Sequence, residues 1–116
     1  MKTRTITREA LAAMYPPPAP ATTDELAALW RLVKLAQSDT GQSRRAADFL
    51  LSWWNAGSCG GFDLTTLWGV DGAIARDMCA VFGLVARINE YPHRIDPRLE
   101  AEFALILSEW RPELMK

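Results

Sequence analysis

The stretch Arg44-Arg-Ala-Ala-Asp-Phe-Leu-Leu-Ser-Trp-Trp-Asn55 decides the fold class of this 116-residue chain. On a helical wheel it carries two adjacent apolar stripes: Ala46, Phe49, Leu50 and Trp53, and beside them Ala47, Leu51 and Trp54. An apolar arc of nearly half the circumference is typical of a helix that is covered on two sides. We therefore predict a central helix that begins within residues 40–43 and ends near Asn55, with Gly57 as its C-terminal stop.

The residues around this stretch predict an all-α fold. Alanine and leucine contribute 31 residues and valine and isoleucine only nine, which favours helix over sheet. Thr22 and Glu25 have the spacing of a capping box, ahead of a helix that ends near Gln37. Further helix starts are predicted at Asp63, at Asp71 and at Asp96-Pro97. The economical architecture is a single-domain bundle of four main helices plus one or two short ones.

The apolar positions of these helices predict the core. Six side chains are expected to be nearly fully buried: Leu50, Trp53, Val81, Val85, Phe103 and Ile106. The helix over residues 72–89 should bury Ile74, Met78, Val81, Val85 and Ile88, and the last helix should bury Leu99, Phe103, Ile106, Leu107 and Trp110.

The first 21 residues are predicted to form an arm outside the bundle, which then occupies residues 22–116. Residues 7–14 are expected to form either a short helix or a disordered segment. The following Tyr15-Pro-Pro-Pro-Ala-Pro20 cannot continue a helix and prefers the extended polyproline conformation. We expect the arm to contribute little to the core.

Composition excludes several classes of function. A net charge of −1 and a pI near 5.8 argue against a nucleic-acid partner, for which a basic domain is usual. One histidine and two cysteines leave too few ligands for most zinc sites, so we predict no metal and no cofactor. Cys59 and Cys79 are expected to be buried, reduced thiols. No apolar run reaches membrane-spanning length and no secretory signal is recognisable, so we expect a cytoplasmic protein without a membrane partner.

A binding surface is predicted around Trp54 and the Arg44-Arg45 pair, whose positions on the helix are unusual. Trp54 does not share a stripe with Trp53, so either the helix is covered on both sides or Trp54 contacts a partner. Arg44 and Arg45 lie in a first helical turn, where positive charge opposes the helix dipole unless Asp48 or Asp39 pairs with it. The predicted interaction surface is Arg44, Arg45, Ala47, Leu51, Trp54 and Trp68.

These features favour a non-enzymatic protein-interaction module that binds another protein or a second copy of itself. One alternative is a nucleic-acid-associated regulator that uses Arg31, Arg44 and Arg45. The other is an enzyme or small-ligand binder near Cys59, Asp63 and Asp71, for which His93 is the only imidazole base. Helix capping accounts for both aspartates more simply.

The stretch from Arg44 to Ala56, together with Gly60-Gly-Phe-Asp-Leu-Thr-Thr-Leu-Trp68, resembles a family of small uncharacterised bacterial proteins carried on integrative and other mobile elements. The resemblance covers residues 44–110. It implies a bacterial, cytoplasmic accessory protein that binds host or defence machinery, and it transfers no functional residues.

Overall fold

The computed structural model describes residues 5–14 and 19–115, of which 76% are helical, and it confirms the all-α prediction. The α-helices are α1 (Arg8–Met14), α2 (Thr23–Ala36), α3 (Gly41–Cys59), α4 (Gly72–Arg87), α5 (Pro92–Ile95) and α6 (Leu99–Trp110). Two 3₁₀ helices cover Leu64–Gly69 and Pro112–Met115. In the described ranges, no helix is both long enough and apolar enough to cross a bilayer.

Helix α2, rather than the predicted α3, is the centre of the bundle, because α2 packs most extensively against the other helices, namely α3, α4 and α6. Its spacing of apolar residues matches the helical period, so one side of the helix is enclosed. The enclosed side chains are Ala28, Leu29, Leu32, Val33 and Ala36. The three other main helices are therefore arranged around a single apolar helix face.

The first turn of α2 forms the predicted capping box. The Thr22 hydroxyl accepts the Glu25 backbone N–H at 3.1 Å, and the Glu25 carboxylate accepts the Thr22 N–H at 2.9 Å. Glu25 also accepts two hydrogen bonds from the Arg87 guanidinium, at 2.5 and 2.8 Å. The same guanidinium donates to the carbonyl oxygens of Ala19 and Pro20. One arginine of α4 thus holds both the start of α2 and the chain that leads into it.

The end of α3 differs from the prediction. The helix does not stop at Gly57; it kinks at Asn55, which has φ −164° and ψ 81°, and continues for one further turn to Cys59. The Asn55 side chain accepts the Ser58 N–H at 3.2 Å, so it caps that turn. The stop is Gly60, whose φ of 97° is a conformation that other residues adopt only with strain.

Two predicted helix caps are also corrected. Asp71 occupies the N-cap position of α4, but its side chain forms no capping hydrogen bond. Helix α6 begins at Leu99 with Arg98 as N-cap, and Asp96 instead accepts the Arg98 N–H at 3.0 Å in a preceding turn. The Asp63 cap is confirmed, because its carboxylate accepts the Thr65 N–H at 2.9 Å.

Four of the six predicted core residues are enclosed: Leu50, Val81, Phe103 and Ile106. Trp53 and Val85 are only partly buried, and Leu84, which the prediction omitted, is buried in their place. Ile74, Ile88 and Trp110 are likewise partly buried, whereas the other predicted positions of α4 and α6 are enclosed. Trp53 and Val85 lie at a surface cleft, which explains their partial exposure.

The N-terminal helix α1 lies outside this core. Its described side chains are exposed, and Thr7 caps it by accepting the Ala10 N–H at 3.0 Å. The predicted polyproline linker at residues 15–18 lies outside the described ranges. The division into an arm and a bundle at residue 22 stays a prediction.

The packing of Phe103 predicts a large loss of stability on truncation. Phe103 is 3% exposed, so Phe103→Ala should lower the free energy of unfolding by about 3–5 kcal/mol, measured by urea denaturation. Leu105→Ala on the exposed side of the same helix is the control and should change it by no more than about 0.5 kcal/mol. Equal losses for the two variants would contradict this core assignment.

The Glu25–Arg87 pair predicts a specific acid sensitivity. Hydrogen bonds from Arg87 and Thr22 lower the pKa of Glu25 from 4.5 to about 2. A carboxylate with a depressed folded-state pKa stabilises the fold above its unfolded pKa and loses that contribution as the pH falls through the folded value. Glu25→Gln should therefore be less stable than the parent at neutral pH, and the difference should shrink from pH 4.5 downward and vanish near pH 2.

Thermal unfolding across this pH range is the measurement. Glu109→Gln, at an exposed position of α6, is the matched control and should follow the parent curve. A Glu25→Gln difference that does not change with pH would show that the ion pair contributes nothing to stability.

Candidate functional site

Two residues of the predicted interaction surface are not on the surface. Ala47 and Leu51 are fully buried in the core. Because α3 packs against α2, α4 and α6, the protein itself covers the second apolar stripe along most of its length. The prediction that Ala47 and Leu51 face a partner is therefore wrong.

The third residue of that stripe, Trp54, is partly buried and lines a shallow hollow of about 550 Å³. Trp53 lies on the same hollow and donates its indole N–H to the Glu90 carbonyl at 3.1 Å. Tyr91 and His93 also line it, and their stacked ring centroids are 6.2 Å apart. Trp54 is thus part of an aromatic surface but does not stand out as a single anchor.

The arginine pair is divided between two environments. Arg44 is exposed, and among the described residues neither Arg44 nor Arg45 forms an ion pair. The pairing with Asp48 or Asp39 that would offset them is therefore absent there, and Asp48 instead accepts a hydrogen bond from Arg111 at 2.8 Å. Arg45 packs instead under Gly69, where an added Cβ would come within 3.2 Å of the guanidinium carbon.

Segment 61–70 is held against α3 by Gln42. The Gln42 amide donates to the Gly69 carbonyl at 2.9 Å and accepts the Asp71 N–H at 3.1 Å. At the other end of the segment, the Phe62 ring packs edge-on against Phe49 at 5.3 Å. Trp68, between these attachments, is 86% exposed. Of the six predicted surface residues, Trp68 and Arg44 are the two that solvent reaches freely.

The feature best suited to binding is an apolar cleft between α3, α4 and segment 61–70. It consists of two adjoining lobes of about 270 and 230 Å³ that share Phe49, Phe62, Leu64 and Phe82. One lobe adds Leu67, Met78 and Cys79, and the other adds Ser52, Trp53 and Val85. We refer to these ten residues as the apolar cleft.

The rim of the apolar cleft exposes large hydrophobic side chains. Leu64, on segment 61–70, is 65% exposed, and Phe82, on α4, is 63% exposed. Ser52 contributes the only hydroxyl, and it donates to the Phe49 carbonyl at 2.7 Å. The lining therefore offers an incoming molecule apolar contact and almost no directed hydrogen bonds.

The chemistry near Cys59 does not converge on a catalytic arrangement. Cys59 is buried, and its burial raises the pKa of the thiol, which disfavours the nucleophilic thiolate. Hydrogen bonds from Thr65 lower the pKa of Asp63, which disfavours a role as a general acid. His93 lines the hollow beside Trp54 and stacks on Tyr91. Cys79, which was expected to be buried, is exposed at the rim of the apolar cleft.

Among residues 5–14 and 19–115, no group of three potential metal-ligating side chains lies close enough together to hold a metal ion. The basic patch proposed for nucleic acid is also smaller than expected. Arg31 donates to both carboxylate oxygens of Asp77, at 2.8 and 2.9 Å. Arg31 is thus exposed but paired, and Arg44 is the member of the predicted trio that is exposed and, among the described residues, outside any ion pair.

Sequence reasoning missed most residues of the apolar cleft. Leu64, Phe82 and Cys79 were not recognised as surface features. A partial signal exists in α4, where Cys79 and Phe82 are three residues apart and fall beside the predicted buried stripe. Phe62 and Leu64 carry no comparable signal, because they belong to a connection without helical periodicity.

The chain belongs to DUF7673, a family of unknown function. The model of this family matches residues 26–111. No curated protein and no solved structure matches the chain. The family match includes every residue of the apolar cleft and leaves α1 outside.

Proposed function

We propose that this protein is a non-enzymatic interaction module that binds an amphipathic helix of a protein partner in the apolar cleft. The observation that carries the proposal is the lining of the apolar cleft. Of its ten side chains, eight are apolar and a ninth is the thiol of Cys79. Soluble proteins seldom leave large side chains such as Phe82 and Leu64 exposed together unless something covers them. Helix-in-groove binding uses apolar anchors on one helix face, and such anchors need no polar partners.

The lining of the apolar cleft, rather than its volume, favours a helix over a small ligand. Small-molecule sites place a few polar groups that orient the ligand. Ser52 is the only such group here, and its hydroxyl is already bonded to the main chain.

The alternatives have less support. An enzyme near Cys59 would need an accessible thiolate, and the environment of Cys59 disfavours one. A nucleic-acid regulator would need several free cations, and Arg31 is already paired with Asp77. The resemblance to proteins of mobile elements favours a bacterial, cytoplasmic setting and a partner in host or defence machinery, as part of this proposal.

Alkylation of Cys79 reports directly on occupancy of the apolar cleft. Cys79 is exposed at the rim and Cys59 is buried, so N-ethylmaleimide should modify Cys79 first. A synthetic amphipathic helical peptide of leucine and lysine should slow that reaction at least about tenfold when it saturates the protein. A peptide of the same composition, scrambled to remove the helical period, is the matched control and should leave the rate unchanged.

Two variants localise the effect. Phe82→Glu should abolish the protection of Cys79, because the charge replaces an apolar wall of the apolar cleft. Leu105→Glu adds the same charge at an exposed leucine of α6 and should keep full protection. With the protein kept dilute, so that no second chain occupies the apolar cleft, equal protection in both variants, or none in the parent at saturating peptide, refutes binding in the apolar cleft.

A further inference from the structure

We propose that the occupant of the apolar cleft is helix α1 of a second copy of this chain, so that two copies exchange their N-terminal helices. This inference rests on the proposed function, because it names the partner of the same cleft. It starts from two unpartnered apolar features in one molecule, the cleft and the exposed face of α1.

Helix α1 carries the apolar side chains that such a partner needs. Thr7 is its cap, which puts Ile6 before the cap and Leu11 at the fourth helical position, the two positions of a hydrophobic staple. Met14 follows Leu11 by three residues and shares its side of the helix. Ile6, Leu11 and Met14 are all exposed, at 61%, 49% and 62%.

Helix α1 is too short to be stable without packing. It has seven residues, whereas isolated helices shorter than about 12–15 residues are marginal in water. Its capping hydrogen bond and the acidic Glu9 in its first turn favour helix formation, but neither replaces an apolar contact. The exposed face of α1 therefore requires a surface elsewhere.

The lengths of α1 and of the apolar cleft agree. The α4 wall of the cleft extends from Met78 to Val85, which corresponds to about 10 Å along a helix axis. Seven residues of α1 also span about 10 Å. One α1 helix can therefore fill both lobes, with its apolar face against Phe82.

The connection to the bundle favours a second copy over the same molecule. Arg87 holds Ala19 and Pro20 through their carbonyl oxygens, so the arm leaves the bundle from a fixed point. The described side chains of α1 are exposed, so α1 does not dock in the apolar cleft of its own molecule. Exchange between two copies makes two identical contacts in a closed dimer.

Sedimentation velocity of the full chain tests the exchange. The parent should form a dimer, and the paired substitutions Leu11→Glu with Met14→Glu should weaken dimerisation at least about 30-fold, as the loss of interface anchors does. Phe82→Glu should weaken it to the same extent. Leu105→Glu should leave it unchanged.

Mixing the two defective variants distinguishes exchange from other dimers. The Leu11→Glu, Met14→Glu chain keeps an intact apolar cleft, and the Phe82→Glu chain keeps an intact α1. Exchange predicts that the mixture forms a heterodimer through one restored contact, although neither variant dimerises alone. Cys79 of the first variant should become protected from N-ethylmaleimide as the second is added.

Each other outcome is decisive. A parent that stays monomeric at about 1 mM overturns the exchange. So does a dimer that Phe82→Glu disrupts and the α1 substitutions do not, because the apolar cleft is then used without α1. In both cases, protection of Cys79 by the synthetic amphipathic peptide would still support the proposed function. Absence of that protection would contradict the proposed function as well as the exchange.

Discussion

The burial of one face of α2 is the interaction on which the rest of the structure depends. Its five enclosed side chains contact the three other main helices, so the positions of α3, α4 and α6 are fixed relative to α2. Polar contacts at both ends set the register. Arg87 of α4 pairs with Glu25 at the first turn, and the Trp110 indole N–H of α6 donates to the Ala36 carbonyl at 2.7 Å at the last turn.

The apolar cleft is a consequence of this arrangement. Helices α3 and α4 each pack more extensively on α2 than on each other, and no residue of α2 lines the apolar cleft. Segment 61–70 forms a third wall of the groove between them. No residue of its 3₁₀ helix, Leu64–Gly69, is fully buried. Phe62 reaches Phe49 and closes one part of the groove. The remainder stays open, and Trp68, the largest side chain of the segment, is 86% exposed instead of filling it.

The sequence predicts contacts between residues that are close along the chain better than contacts between distant ones. The capping box of Thr22 and Glu25 joins residues three apart, so the local pattern predicted it correctly. The burial of Ala47 and Leu51 depends on helices that are distant in sequence. The helical wheel predicts the width of the apolar arc, but it does not identify the helices that cover the arc. The apolar cleft was beyond local patterns for the same reason, since α3, α4 and a non-periodic connection each contribute only part of its lining.

One of the two arginines predicted to oppose the helix dipole, Arg45, also gains an explanation from distant contacts. Arg45, the fifth residue of α3, faces Gly69, and its guanidinium occupies the space that any larger residue there would need. Gln42, one turn away, bonds the main chain on both sides of Val70. Together they fix the C-terminal end of segment 61–70, the wall that carries Leu64. The unfavourable placement of Arg45 near a helix N-terminus is therefore linked to the geometry of the apolar cleft, through packing rather than through contact with a partner.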